Sequence, residues 1–169
     1  ILPRQAVHDS SSVTYPVFTA IAAPEVQNKL NGDFAIIAGP YLQNLATGGC
    51  ELDYTLTFVS EKFISMVFFG VLDEGEKEIF AKIPLNIDVQ TGAQLALGDV
   101  LNLRDADLLP VLRLLTKKDK VDFSKGIPES WYYNGTNFVF CQRSETGEWL
   151  EATVAASDLK KFLLKPELF

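Results

Sequence analysis

The chain is 169 residues long, the size of one domain, with 47% hydrophobic and 22% charged residues, a globular balance that excludes a disordered chain. Its net charge of −7, from 15 basic and 22 acidic residues, excludes a nucleic-acid binder that sets Lys and Arg against phosphates; the best basic run, Lys117-Lys118-Asp119-Lys120, is interrupted by its own Asp. No apolar stretch approaches the roughly 20 residues that span a bilayer, and the longest, Phe63 to Leu72, is strand-sized and carries Ser65 and Gly70.

The chain opens at Ile1 with no Met and no apolar leader, as expected where a signal peptide has been removed or the chain was cut behind an anchor or linker. Residues 1–12 mix Pro3, Arg4, His8, Asp9 and three serines and read as a flexible N-terminal arm; residues 13–169 read as a single domain. Val13, Tyr15 and Val17 alternate with Thr14, Pro16 and Phe18 and predict a strand, which Pro16 pushes to an edge or a bulge because it cannot donate to a ladder. Pro24 opens a helical pattern carrying Val26, Leu30, Phe34 and Ile37, and Pro40 is expected to kink or end that helix near Ala38.

From Cys50 the period changes to two. Leu52, Tyr54, Leu56 and Phe58 alternate with Glu51, Asp53, Thr55 and Thr57; Phe63 to Val71 is apolar on both faces, as a central strand should be; Ile79 to Val89 puts Leu85 and Ile87 on one face, Asn86 and Asp88 on the wet one. The three form an antiparallel meander. Thr91-Gly92 then turns the chain into Leu95 to Leu101, and a second helix, Ala106 to Leu115, carries Leu108, Leu112 and Leu115, with Pro110 tolerated in its first turn. Trp131-Tyr132-Tyr133, Asn134-Gly135 and Asn137 to Cys141 predict a hairpin closed by a type I′ turn. A last strand, Trp149 to Val154, leads to a short helix capped by Ser157. The fold class is therefore α+β: a mainly antiparallel sheet of five to seven strands with two or three helices packed on it, and the twelve Phe filling the layer between them.

Catalytic patterns are sparse. The single histidine, His8, sits in the arm, which leaves no paired-His zinc site and no anchored Ser-His-Asp set. Cys50 and Cys141 lie in apolar strand patterns and read either as one disulfide or as two buried thiols. Asp88 and Asp99 could meet around the Thr91-Gly92 turn as a hydrolytic pair, but a wet strand face and a turn cap account for them better. Asp73, Glu74, Glu76 and Glu78 miss the EF-hand spacing and read as a solvated turn, and Asn134 has a hairpin role that accounts for its sequon. What remains is aromatic: Trp131, Tyr132, Tyr133 and Trp149 are the candidate ligand-binding residues, since exposed Trp and Tyr stack on sugar rings and anchor protein interfaces. Strand alternation sends at least one of the three consecutive rings to the opposite face from its neighbours, and closing the edge of the core is the simpler role for most of them.

Short stretches of the sequence resemble a domain found in exported Gram-positive proteins. Tyr15-Pro16-Val17-Phe18 with Gln27 and Asn31 resembles its opening, Phe63 to Phe69 one of its strands, and Leu85-Asn86-Ile87-Asp88-Val89-Gln90-Thr91-Gly92 followed by Leu95 to Leu101 its most recognisable segment. The chain departs from that pattern at Phe80-Ala81-Lys82 and at Cys141 to Gly147. Such domains occur as non-catalytic modules of peptidoglycan deacetylases and in the ectodomain of a lysozyme-sensing anti-sigma factor. The resemblance implies an extracytoplasmic, secreted or anchored, binding or sensory module of the cell envelope, non-catalytic, without metal or cofactor, whose partner is a protein or a cell-wall glycan. A carboxylate-based hydrolase acting on wall polymer and a purely structural assembly domain are the rivals, and the sequence leaves the oligomeric state open.

Overall fold

The computed structural model describes residues 1–73, Gly75 and residues 77–169. The fold is α+β. One six-stranded, mostly antiparallel sheet has the order β1 (Leu2–His8), β2 (Ser11–Val17), β3 (Cys50–Val59), β4 (Phe63–Asp73), β5 (Glu78–Asp88), β6 (Ala93–Gln94). A second, three-stranded sheet has the order β7 (Ser130–Tyr133), β8 (Asn137–Arg143), β9 (Trp149–Ala155). The helices are α1 (Pro24–Asn44), α2 (Leu97–Val100) and α3 (Leu108–Leu115).

The chain divides into two compact units that interleave along the sequence: Ile1–Leu56, Val67–Ile83 and Asp88–Ala93 form the first, Thr57–Met66, Pro84–Ile87 and Gln94–Phe169 the second. β3, β4 and β5 each contribute residues to both units, so no stretch of linker composition marks a boundary in the sequence.

In the first unit, α1 buries Val26, Leu30, Phe34, Ala38 and Tyr41, and Phe34 stacks on Phe18 and meets Phe68 of β4 at 6.0 Å between ring centroids. The helix continues through Pro40, beyond its expected end near Ala38. Pro40 forfeits one backbone bond, but burial of Tyr41 one residue later outweighs it, and the Asn44 side chain caps the Pro40 carbonyl at 2.8 Å. Asn31 brackets the backbone of Phe18, accepting its N–H at 2.8 Å and donating to its carbonyl at 3.0 Å. Lys29 donates to Gly92 O at 2.7 Å, and Asp88 Oδ1 accepts from the N–H groups of Gln90 and Thr91. The residues that carry the family resemblance therefore fasten α1 to its neighbours and shape a turn.

The segment read as an arm holds β1, which pairs with β2 from Leu2↔Val17 to His8↔Ser11 around a two-residue turn at Asp9, whose φ of 50° lies in the left-handed region. Exposure of β1 on both faces erases the hydrophobic alternation that reveals a strand. β2 is therefore not an edge strand. Pro16 is tolerated because it lies opposite Pro3, where neither nitrogen faces the other strand, and because the parallel pairing with β3 covers Ser12 and Val13 alone.

The second unit has its own core, in which Phe63, Leu97, Val100, Leu101, Leu108, Leu112, Trp131, Phe138, Phe140, Val154, Leu159 and Phe162 are buried together. Asp99 Oδ2 accepts the Ala96 N–H at 2.8 Å and so starts α2. The β7–β8 hairpin forms as expected, with one change in its turn. Positive φ falls at Gly135 alone among the turn residues, and Asn134 N–H donates to Asn137 O at 3.1 Å. This is the φ pattern of a type II′ turn, with Asn134 one position earlier than type I′ requires. The segment after β9 is a 3-10 helix, Ala156–Phe162, without a side-chain cap from Ser157.

Candidate functional site

The alternation of β7 separates the predicted aromatic residues. Trp131 and Tyr133 point into the core of the second unit, where Trp131 stacks on Phe138 at 5.4 Å and Tyr133 meets Phe58 edge-on at 5.0 Å. Tyr132 takes the opposite face of the sheet, in one row with Val139 and Thr153, while Trp149 stands in the row of Arg143. Those rows are four residues apart along β9, ~13 Å. The four side chains thus form no common patch. Tyr132 donates from its hydroxyl to Glu151 Oε1 at 3.0 Å, and burial, then this bond, holds its phenol well above the ordinary range.

One predicted residue does reach a cleft. The second unit contains an open depression of about 350 Å³ between the end of β5, the β6–α2 connection and the start of β7, lined by Pro84, Asn86, Gln94, Leu95, Ala96, Glu129, Ser130 and Trp131, whose ring is turned into the core. Its polar groups are two carboxamides, a hydroxyl and one carboxylate. Such a set hydrogen-bonds neutral ligand groups.

The floor of this cleft is fixed by Asn86, 3% exposed, which the strand pattern assigns to a wet face. Its Nδ2 donates to the Trp131 carbonyl at 2.7 Å, its Oδ1 accepts from Ser65 Oγ at 2.7 Å, and its own carbonyl accepts the Leu95 N–H at 2.7 Å. The sequence carries the signal: Ser65 interrupts an apolar central strand, Asn86 sits between Leu85 and Ile87 in the next, and two polar residues in adjacent apolar strands can satisfy one another.

The carboxylates singled out from sequence do not converge. Asp88 accepts turn amides, Asp99 caps α2, and Glu129 is the acidic residue of the cleft. Glu74 and Glu76 of the acidic turn lie outside the described residues. Among the described residues no three His, Cys, Asp or Glu side chains are placed to hold a metal ion. Cys50 and Cys141 are buried and form no disulfide among the described residues, and His8 is exposed beside Asp9 at 3.5 Å.

No family model and no curated protein matches the chain. Solved structures do. A member of the DUF3298 family from Bacteroides fragilis superposes with a TM-score of 0.65 at 13% identity, covering 96% of this chain and 90% of that one. A DUF3298 family protein from Pseudomonas aeruginosa gives 0.63 at 12% identity, covering 99% and 94%. At these identities the likeness is one of fold: the chain shares the architecture of DUF3298 proteins, a domain of unknown function.

Proposed function

We propose that the chain is a non-catalytic binding or sensory domain of the extracytoplasmic cell envelope, and that it takes a glycan or protein ligand in the cleft beside Trp131. The observation that carries this reading is the composition of the cleft. Gln94 and Ser130 offer neutral donors and acceptors and Pro84 an apolar wall, beside the single carboxylate of Glu129. Glycosidic hydrolysis calls for two carboxylates about 5 to 10 Å apart. The family resemblance supports a module of this kind and alone carries the envelope location.

A thermal-shift titration of the chain with soluble peptidoglycan fragments, and separately with lysozyme, tests the proposal. Ligand at a hundred times its dissociation constant should stabilise by about 2.7 kcal/mol, raising the midpoint by about 5 to 10 °C. The shift should be lost in Gln94→Ala and Ser130→Ala, which leave the core untouched. No saturable shift with either ligand would sink the reading, and a shift that survives both substitutions would sink the cleft as its site.

A further inference from the structure

The first unit carries a surface that is chemically unlike the cleft of the second. β4 sends Phe68 to the side of the sheet packed under α1, so alternation sends Phe69 to the opposite face. There Phe69 is 45% exposed, and Phe80 of β5 is 51% exposed. Lys82 extends over the Phe69 ring, its Nζ 5.6 Å from the centroid, so this face already seats an ammonium on an aromatic ring. Phe80 makes no such contact among the described residues.

Carboxylates gather where these strands end. Val71 and Phe80 share an open cleft of about 300 Å³ with Glu51, Asp73 and Glu78. Asp53, two residues beyond Glu51 on β3, projects from the same face and is exposed. None of these four carboxylates has an ion pair among the described residues. Exposed rings bounded by unpaired negative charge repel an anionic ligand, and a neutral sugar makes no use of the charge. The charge of the face is complementary to a cationic segment that also carries apolar side chains.

We propose that this face docks an extended, basic segment of a partner protein. Lys or Arg side chains of the segment fall among Glu51, Asp73 and Glu78 and over the Phe80 ring, and intervening apolar side chains cover Val71. The proposal is independent of the cleft beside Trp131, because every residue it uses belongs to the first unit and none lines that cleft.

Calorimetric titration with a short peptide in which lysine alternates with valine and threonine tests it, the control being the same peptide with glutamate for lysine. The lysine peptide should bind saturably and the glutamate peptide should not. Phe69→Ser combined with Phe80→Ser leaves the charge unchanged and should weaken binding by about tenfold or more. Glu51→Gln combined with Glu78→Gln should weaken it similarly and flatten its salt dependence. All four positions are exposed, so unchanged far-UV dichroism and unfolding midpoint serve as the folding control. Failure of the lysine peptide to bind overturns the proposal. So does equal affinity for the phenylalanine variant, which would mean charge attraction alone.

Discussion

Ser65 and Asn86 together close the outer edge of β7. Ser65 Oγ donates to Asn86 Oδ1 at 2.7 Å and accepts the Tyr133 N–H at 2.8 Å, while Asn86 Nδ2 donates to the Trp131 carbonyl at 2.7 Å. Trp131 and Tyr133 are the β7 residues whose backbone groups face away from β8, since the Asn134–Asn137 hydrogen bond sets the alternation. Unpaired edge groups in a buried setting are costly. Two side chains thus do what a further strand would otherwise do.

Replacing Asn86 by Ala leaves the Trp131 carbonyl and the Ser65 hydroxyl short of a partner, which should cost about 1 to 3 kcal/mol. The measurement is the urea midpoint of Asn86→Ala, Ser65→Ala and the double variant. Because the two residues belong to one network, the double variant should lose less than the sum of the singles. Strict additivity would show that the pair does not act together.

Gly70 lies in β4 against the ring of Tyr41, whose hydroxyl and ring atoms a Cβ at that position would meet. The Gly70 backbone is ordinary, so the requirement is for space and not for dihedral freedom. Gly70→Ala should displace Tyr41 and destabilise by about 1 to 3 kcal/mol. Thermal unfolding checks this, and Tyr41→Leu should recover part of the loss. An unchanged midpoint in Gly70→Ala would refute the contact.

The two tryptophans should separate cleanly. Trp131 is 2% exposed and stacked on Phe138, so Trp131→Ala should cost about 3 to 5 kcal/mol. Trp149 is half-buried, with an indole Nε1 that is buried and has no hydrogen-bond partner among the described residues. Trp149→Phe removes that unmatched donor and should leave stability unchanged or slightly raised. Near-UV dichroism and denaturant midpoints of both variants decide the matter.

Alkaline pH should weaken the fold. Burial raises the phenols of Tyr41, Tyr54, Tyr132 and Tyr133, with Asp53 adding to the effect at Tyr54 and the Glu151 hydrogen bond at Tyr132. The unfolded chain loses these protons near pH 10 while the folded chain keeps them. The folded state therefore binds more protons above that value, and stability falls as pH rises beyond about 10. Phenolate absorbance should lag in the folded chain and appear on unfolding. A single native ionisation step at the ordinary value would contradict this.

Much of the fold is legible in local pattern. The alternation from Leu52 to Phe58, the apolar run from Phe63 and the Asn-Gly turn each predict a strand or hairpin that the structure contains, because period and turn chemistry act over a few residues. The same reasoning misplaces the end of α1, since the burial of Tyr41 that sustains the helix past Pro40 is a tertiary event. It also misses β1, which is held by β2 without a buried face of its own.

The candidate sites divide along the same line. Sequence by itself determined the residue types at hand: abundant carboxylates, a single histidine and an aromatic run before a hairpin. Only the tertiary structure decided their use. Strand alternation buries Trp131 and Tyr133 and carries Tyr132 to the other face, and the meeting of β5 with β7 turns Asn86 from a wet-face residue into the floor of a cleft. Which side of a strand is wet depends on what covers it, and the covering residues, Trp131 for Asn86 and Tyr41 for Gly70, lie dozens of positions away in the chain.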